Sequence, residues 1–367
     1  MAIETIGRQY RFRVYYTDSD GYRKQYNSKK YDDKKLCKDK EAQFILAHNN
    51  PDKVNFHIVA LNYFEELRTI KKESTVYTYI NAYNVNIYPY FKDLDINNIN
   101  VPKIKKWAEK LKKRGLAVNY LNKMYNILKN IFDYAIKNYN LKENPVTIVG
   151  RFQSPKEEVI TEQEKLNYIT FEEFNKFISV IDNIFWKTFF IFLYYTGCRK
   201  GEVQALSWND IDFINNEITI NKTLSLKTSK IYKITSTKNY VNRKIKMSKI
   251  LKQQLLDHLK EQKECEDFSK DWFVFGGYRF LPTTTISRYK KKYFELSGVK
   301  EIKIHDFRHS HVSLLINEYI KSGQTDTTKF FLMMSNRMGH TIQVMQKTYM
   351  HLFPTVQNEI IDLLDNL

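Results

Sequence analysis

The sequence predicts a multidomain, mainly α-helical chain: a small β-ribbon with one helix, then an all-α domain, then a mainly α (α+β) domain. Three observations carry this. Apolar and polar side chains alternate over residues 10–16, apolar residues recur every three or four positions over 121–135, and a strongly apolar run at 185–195 is followed by two short β-like runs. At 367 residues the chain is too long for one typical core, so two or three domains are expected.

In the first module, expected over residues 1–54, Tyr10, Phe12, Val14 and Tyr16 alternate with Arg11, Arg13 and Tyr15, the pattern of a half-buried strand. Asp20-Gly21 suits a tight hairpin turn, a second strand follows at 22–27, and a short third is expected at 29–31. A helix over 38–48 would cover one sheet face, leaving Arg11, Arg13, Arg23 and Lys24 outward. Alone, that basic face fits plain solvation as well as DNA, although a two- or three-stranded ribbon does fit the major groove.

Residues 55–150 read as all-helical. One helix is expected to start at Ser74-Thr75, another spans 101–114 and is ended by Gly115, and a third spans 119–139. In the last, Leu121, Met124, Leu128, Ile131 and Ala135 form a stripe that is core packing. Lysines such as Lys103, Lys106, Lys110 and Lys113 fall on other faces, solvated or facing a DNA backbone. The polar stretch 151–168 reads as a linker. Domain three, 169–367, opens with Thr170-Phe171-Glu172-Glu173, the pattern of a capping box. Short strands are expected at 217–223 and 241–247. At the C-terminus, Val356, Ile360 and Leu364, with Leu363 and Leu367 beside them, make an apolar stripe that either folds back on its own core or docks on another copy.

Fifty-nine Lys and Arg against 41 Asp and Glu leave a formal charge of +18 and a pI near 9.4. The excess predicts attraction to a polyanion. No stretch is apolar enough to span a bilayer, and the first ten residues lack a signal-peptide layout, so nucleic acid in the cytoplasm is the expected partner. Cys37, Cys198 and Cys265 are scattered with neither disulfide nor metal spacing, and no metal site is expected.

Four segments of the third domain carry residue types suited to phosphate chemistry. Thr196-Gly197-Cys198-Arg199-Lys200-Gly201-Glu202 places an Arg and a Glu at a helix start, where a phosphate can be held. His305-Asp306-Phe307-Arg308-His309 sets His305 and Arg308 three apart, on one helical face. Met338-Gly339-His340 precedes an amphipathic stretch, and Tyr349 follows nine residues after His340. Singly these are weak signals, since a lone Arg is usually a surface ion pair and Tyr349 is one of 26 tyrosines.

Together and in this order, with Lys238 between the first two blocks, they resemble the active-site signature of the tyrosine recombinase family, λ-integrase-like, found in integrases of phages and conjugative transposons. The match in motif detail covers 170–367, and the first two domains resemble the arm-binding and core-binding domains of that family. The resemblance implies a site-specific DNA recombinase that cuts and rejoins DNA through a 3′-phosphotyrosyl intermediate, with no cofactor. It implies that Arg199 and Arg308 bind the non-bridging oxygens of the scissile phosphate, that His305 and His340 donate further hydrogen bonds, and that Tyr349 attacks. His305 is also expected to handle the tyrosine proton, and Glu202 to orient Arg199 or His305. Lys238 is the implied general acid, with Lys227, Lys230 and Lys233 as rivals on the same hairpin. The implied partners are double-stranded DNA at core and arm sites, further copies in a tetramer, and an excisionase or host DNA-bending protein; the implied location is the cytoplasm, on the nucleoid when DNA is bound. Arg308 and His340 stand 32 residues apart, longer than the family pattern by roughly two helical turns, so an insertion is expected near 319–329. A type IB topoisomerase would use nearly the same groups, and a sequence-specific DNA-binding protein with a vestigial site is the non-enzyme alternative.

Overall fold

The computed structural model describes residues 2–17, 22–49, 54–153, 166–226, 232–236 and 242–353, in two units, Met1–Gln163 and Glu164–Leu367. The Asp20-Gly21 turn, Lys227, Lys230, Lys238 and the apolar stripe of the C-terminal tail lie outside the described residues.

The first unit begins with an antiparallel sheet in the order β1 (Ala2–Ile6), β2 (Gln9–Thr17), β3 (Arg23–Asn27). The alternation in β2 does what its period requires: Phe12 and Val14 are buried with Cys37 of α1 (Lys34–Asn49), and Phe44 of that helix stacks on Tyr26. The third strand is β1, before the hairpin; residues 29–31 contribute only a bridge between Tyr31 and Tyr10. Register sorts the four basic residues. Arg13 lies opposite Asn27 and Thr17 opposite Arg23, so Arg11, Arg13 and Arg23 share the face away from α1. Lys24 lies opposite Tyr16, on the side facing α1, which corrects its expected placement with the other three.

Among the described residues six helices follow: α2 (Phe56–Ile70), α3 (Glu73–Asn86), α4 (Tyr88–Phe91), α5 (Val101–Lys112), α6 (Val118–Tyr139) and α7 (Pro145–Val149). Caps set their starts. The Asn55 side chain accepts from the His57 and Ile58 amides, and Asn100 accepts from Lys103 ahead of Pro102. α3 starts at Glu73 rather than at Ser74-Thr75, because neither hydroxyl caps it and Lys72 is the boundary residue. All five stripe residues of α6 are buried, packed with Trp107, Phe56 and Phe132. Phe152, in the stretch read as a linker, joins this core, and Ile169, just after that stretch, joins the next.

The second unit is built on α9 (Ile184–Thr196), buried almost all round and packed on α11 (Lys249–Lys263) and α13 (Asp306–Lys321). Before it, α8 (Phe171–Ser179) starts with the capping box: Thr170 Oγ1 accepts from the Glu173 amide and Glu173 accepts from the Thr170 amide. After it come α10 (Lys200–Ala205), β4 (Ile211–Asp212), β5 (Glu217–Ile220), β6 (Lys222–Leu226), β7 (Tyr232–Ser236) and β8 (Arg243–Lys246). The run expected as one strand at 217–223 is thus two: β5 pairs with β4 and β8, and β6 pairs with β7 in a separate ribbon. α12 (Thr283–Ser297), α14 (Thr327–Met338) and α15 (Ile342–Tyr349) complete the unit. The long interval between Arg308 and His340 is taken up by the sixteen residues of α13 and by α14, which Asp326 caps; Tyr319 is buried at the join, its hydroxyl donating to Asp326 O at 2.9 Å.

Candidate active site

Two glycines with positive φ bring the motif segments together. Gly197 (φ 62°) ends α9 in the left-handed conformation, and a Cβ there would lie 2.8 Å from His311 Cδ2 and 2.9 Å from Met338 Cε. Any side chain there would be strained and would crowd both, and the turn sets Arg199 as the residue that caps α10. Gly339 (φ 61°) ends α14 the same way and delivers His340.

Arg199 and Arg308 both grip the backbone around these turns. Arg308, 1% exposed in the first turn of α13, donates through Nη1 to Gly197 O at 2.7 Å and through Nη2 to Met338 O. Arg199 Nη2 donates to Gly339 O at 3.4 Å. The Glu202 carboxylate, 1% exposed, accepts from the Arg199 amide (2.9 Å) and from Arg199 Nη1 (3.0 Å). It also accepts from Arg243 of β8, at 3.0 and 2.7 Å. Arg243 in turn donates from Nε to Arg337 O at 2.9 Å, one helical turn ahead of His340. Burial alone would raise the Glu202 carboxyl, but Arg243 and the Arg199 donors hold it down at about 2. Glu202, expected to orient Arg199 or His305, thus contacts Arg199 and is shared with Arg243. Arg243 was visible only as part of a basic strand, and its pairing across 41 residues is a product of the fold.

Tyr349 ends α15 with its ring 2% exposed among Phe331, Met334 and Met345. Burial lifts its hydroxyl to about 12, against a small opposing pull from the Arg308 charge. The hydroxyl meets His309 Nδ1 at 2.8 Å. His305 was expected to handle this proton; its ring meets that of His309 edge-on, centroids 5.3 Å apart. His309 follows Arg308 directly and sits one turn from His305, a spacing that was open to notice.

The positive charge of the site exceeds its negative charge. Burial, then the Arg199 charge, lowers Arg308 to about 10. Burial, then Arg308 and Arg199, lowers His340 to about 3; burial, then His305, lowers His309 to about 4. Three guanidiniums, those of Arg199, Arg243 and Arg308, lie around the Glu202 carboxylate, which is the electrostatics of a site that takes an anion. Arg308 Nε and His340 Nδ1 are buried without a hydrogen-bond partner among the described residues. Beside them opens a basic groove of about 720 Å³ lined by Arg243, Lys244, Lys246, Arg337, Gly339 and His340. Lys233 of β7 is exposed. No cluster of His, Cys, Asp and Glu suited to a metal occurs among the described residues.

In the first unit, Arg11 and Arg13 face outward as expected, but each is ion-paired to Glu4 of β1, at 2.9 and 2.8 Å. Arg23 lies over the Tyr15 ring at 5.2 Å. Among the described residues no helix is long and apolar enough to cross a membrane.

A buried tyrosine hydroxyl on His309, the arginines Arg199 and Arg308, and a basic groove that His340 lines make up a site whose charge suits a phosphate. The model of the phage integrase family matches residues 167–354, and that of the phage integrase N-terminal SAM-like domain matches 56–112. The ICEBs1 integrase of Bacillus subtilis (strain 168) is 35% identical over 297 residues, covering 77% of this chain and 75% of its own. A XerC-like tyrosine recombinase of Caldanaerobacter subterraneus subsp. tengcongensis is 25% identical, covering 91% and 90%. The fold is shared with the Tn1549 transposon integrase in complex with a circular intermediate DNA (TM-score 0.64, 20% identity, 84% of this chain and 99% of that one). It is also shared with a λ integrase tetramer bound to a Holliday junction (TM-score 0.59, 16% identity, 91% and 90%). This chain belongs to the phage integrase family: it is a tyrosine recombinase of the integrase type.

Proposed function

We propose that this integrase moves a mobile element in and out of DNA, with Tyr349 attacking the scissile phosphate and remaining attached through a 3′-phosphotyrosyl bond. The observation that carries the reading is the Tyr349 hydroxyl, buried against α13 in the same chain that supplies Arg199, Arg308 and His340. A phosphodiester resists attack because its oxygens repel nucleophiles. Arg199 and Arg308 keep N–H donors beyond those bonded to carbonyls, and these, with Arg308 Nε, bind the non-bridging oxygens and stabilise the pentacoordinate transition state. His340 and His305 add hydrogen bonds to the same phosphate, and Glu202 fixes Arg199. Lys238 protonates the departing 5′-oxygen.

The outward face of the first sheet, with Arg11, Arg13 and Arg23, takes an arm-type site while α2–α7 and the second unit take the core site. Exchange between two duplexes needs four tyrosines, hence a tetramer on DNA, with an excisionase or host bending protein setting direction. The bound tetramer and DNA named for the λ and Tn1549 integrases support this reading.

The test is strand exchange between two plasmids carrying the junction of the circularised element. Site-dependent exchange by the wild type, lost in Tyr349→Phe, is expected; relaxation of a supercoiled plasmid without paired sites would make the chain a topoisomerase instead. Lys238→Ala is expected to cleave ordinary DNA about 10²–10⁴-fold slower and to recover on a 5′-bridging phosphorothiolate, whose thiolate leaves without a proton. Normal cleavage by Lys238→Ala would move the role to Lys227, Lys230 or Lys233.

A further inference from the structure

We propose that His309 is a catalytic residue of this enzyme, the base that takes the Tyr349 proton during cleavage and returns it during religation. The inference rests on the reading of Tyr349 as the nucleophile. The His309 Nδ1 to Tyr349 oxygen distance of 2.8 Å is within reach for direct transfer, with no intervening group. The contact is held from both sides: α13 fixes His309, whose ring meets His305 edge-on, and the buried ring of Tyr349 is fixed by the small core of Val312, Ile316, Phe331 and Met345.

Among the described residues, the charged and titratable groups that act on the pair are these. On its own helix His309 faces His305, Asp306 and Arg308, and from α15 it faces Tyr349. Burial with His305 and Arg308 keeps the ring neutral at working pH. In the proposed tautomer its proton is on Nε2, which leaves the Nδ1 lone pair for the tyrosine. The scissile phosphate brings negative charge next to the imidazole, which stabilises the imidazolium that forms. In the step, the Tyr349 O–H bond breaks and its proton passes to Nδ1. The Tyr349 oxygen bonds to phosphorus as the bond from phosphorus to the 5′-oxygen breaks, and that oxygen takes its proton from the general acid. Religation reverses each transfer. His305, one turn earlier, is left to bind the phosphate.

The experiment separates taking a proton from merely accepting a hydrogen bond. The probe is a nicked half-site duplex, selected from a randomised pool by covalent capture on the full wild-type chain, with sulfur at the bridging 5′ position so that no general acid is needed. His309→Asn places an amide oxygen near the position of Nδ1; it accepts the hydrogen bond but takes no proton. Wild-type adduct formation should be flat between about pH 6 and 9, whereas H309N should be slower by about 10²–10⁴-fold at neutral pH and rise about tenfold per pH unit as hydroxide replaces the base. Should H309N fold poorly by thermal melting, His309→Ala with added imidazole carries the same test, and imidazole should restore adduct about tenfold or more. A flat profile at the wild-type rate in H309N, or wild-type cleavage by H309A, overturns the proposal. Adduct formed by Tyr349→Phe would instead overturn the assignment of the nucleophile, a result distinct from either.

Discussion

The two units carry the same small device in opposite settings: one glutamate between two arginines. On the first sheet, Glu4 bridges Arg11 and Arg13 on an open face, its side chain 30% exposed. In the second unit Glu202 bridges Arg199 and Arg243 with its side chain 1% exposed. The first kind of pair is worth little, about 0–1 kcal/mol, and is screened by salt. The second cannot exchange its partners for water, so removing its carboxylate strands a buried charge at a cost of about 3–5 kcal/mol. An open pair lets its arginines go to a phosphate backbone, while a closed one holds an arginine in place for a reaction.

The largest effect is therefore expected at Glu202. Glu202→Gln leaves Arg243 buried against a neutral amide and Arg199 without its anchor; it should destabilise the second unit by about 3–5 kcal/mol and slow adduct formation even well below the melting temperature. Denaturant melts and half-site cleavage check this, and near-normal values for both would remove the claim that this pair is the frame of the site.

The second effect is on acid stability. The folded values of His309 (about 4), His311 (about 3) and His340 (about 3) lie below the ordinary 6.5, so the unfolded chain binds more protons as pH falls. Their contribution is intact above about 6.5 and is lost as pH drops towards 3–4. Glu202, held at about 2 against 4.5, adds a loss between those two values. Hydrogen exchange across pH 7 to 4 should show the second unit losing protection ahead of the first. Equal loss in both would contradict the assignment of these buried groups.

The smallest effect is expected at Glu4. Glu4→Gln should change stability by less than about 1 kcal/mol. It should nevertheless tighten binding to random duplex at low salt and steepen the salt dependence, by about 0.9 in the log–log slope for each additional phosphate neutralised. An unchanged slope would mean that Arg11 and Arg13 do not meet DNA.

The same contrast explains what could be read from residue order. Patterns local in sequence were legible: the period of β2, the stripe of α6, the capping box at Thr170, and the order of Arg199, Arg308, His340 and Tyr349. Pairings set by register or by tertiary contact were not. Glu4 meets Arg11 only because β1, five residues with little alternation, pairs with β2 in one register. Arg243 reaches Glu202 only because β8 joins β5 in the sheet beside α10. His309 lay in plain view next to Arg308, but helical spacing favours His305 and Arg308 as a pair; only the packing of α15 on α13 brings the hydroxyl to His309.

One tyrosine, held in its own chain's site, is expected to carry the DNA. The direct measurement is to trap the covalent adduct on a nicked half-site, digest it, and locate the nucleotide-bearing peptide by mass spectrometry. The nucleotide is expected on the peptide that contains Tyr349, linked through its phenolic oxygen. A nucleotide on any other tyrosine, Tyr319 among them, would mean that Tyr349 is not the nucleophile.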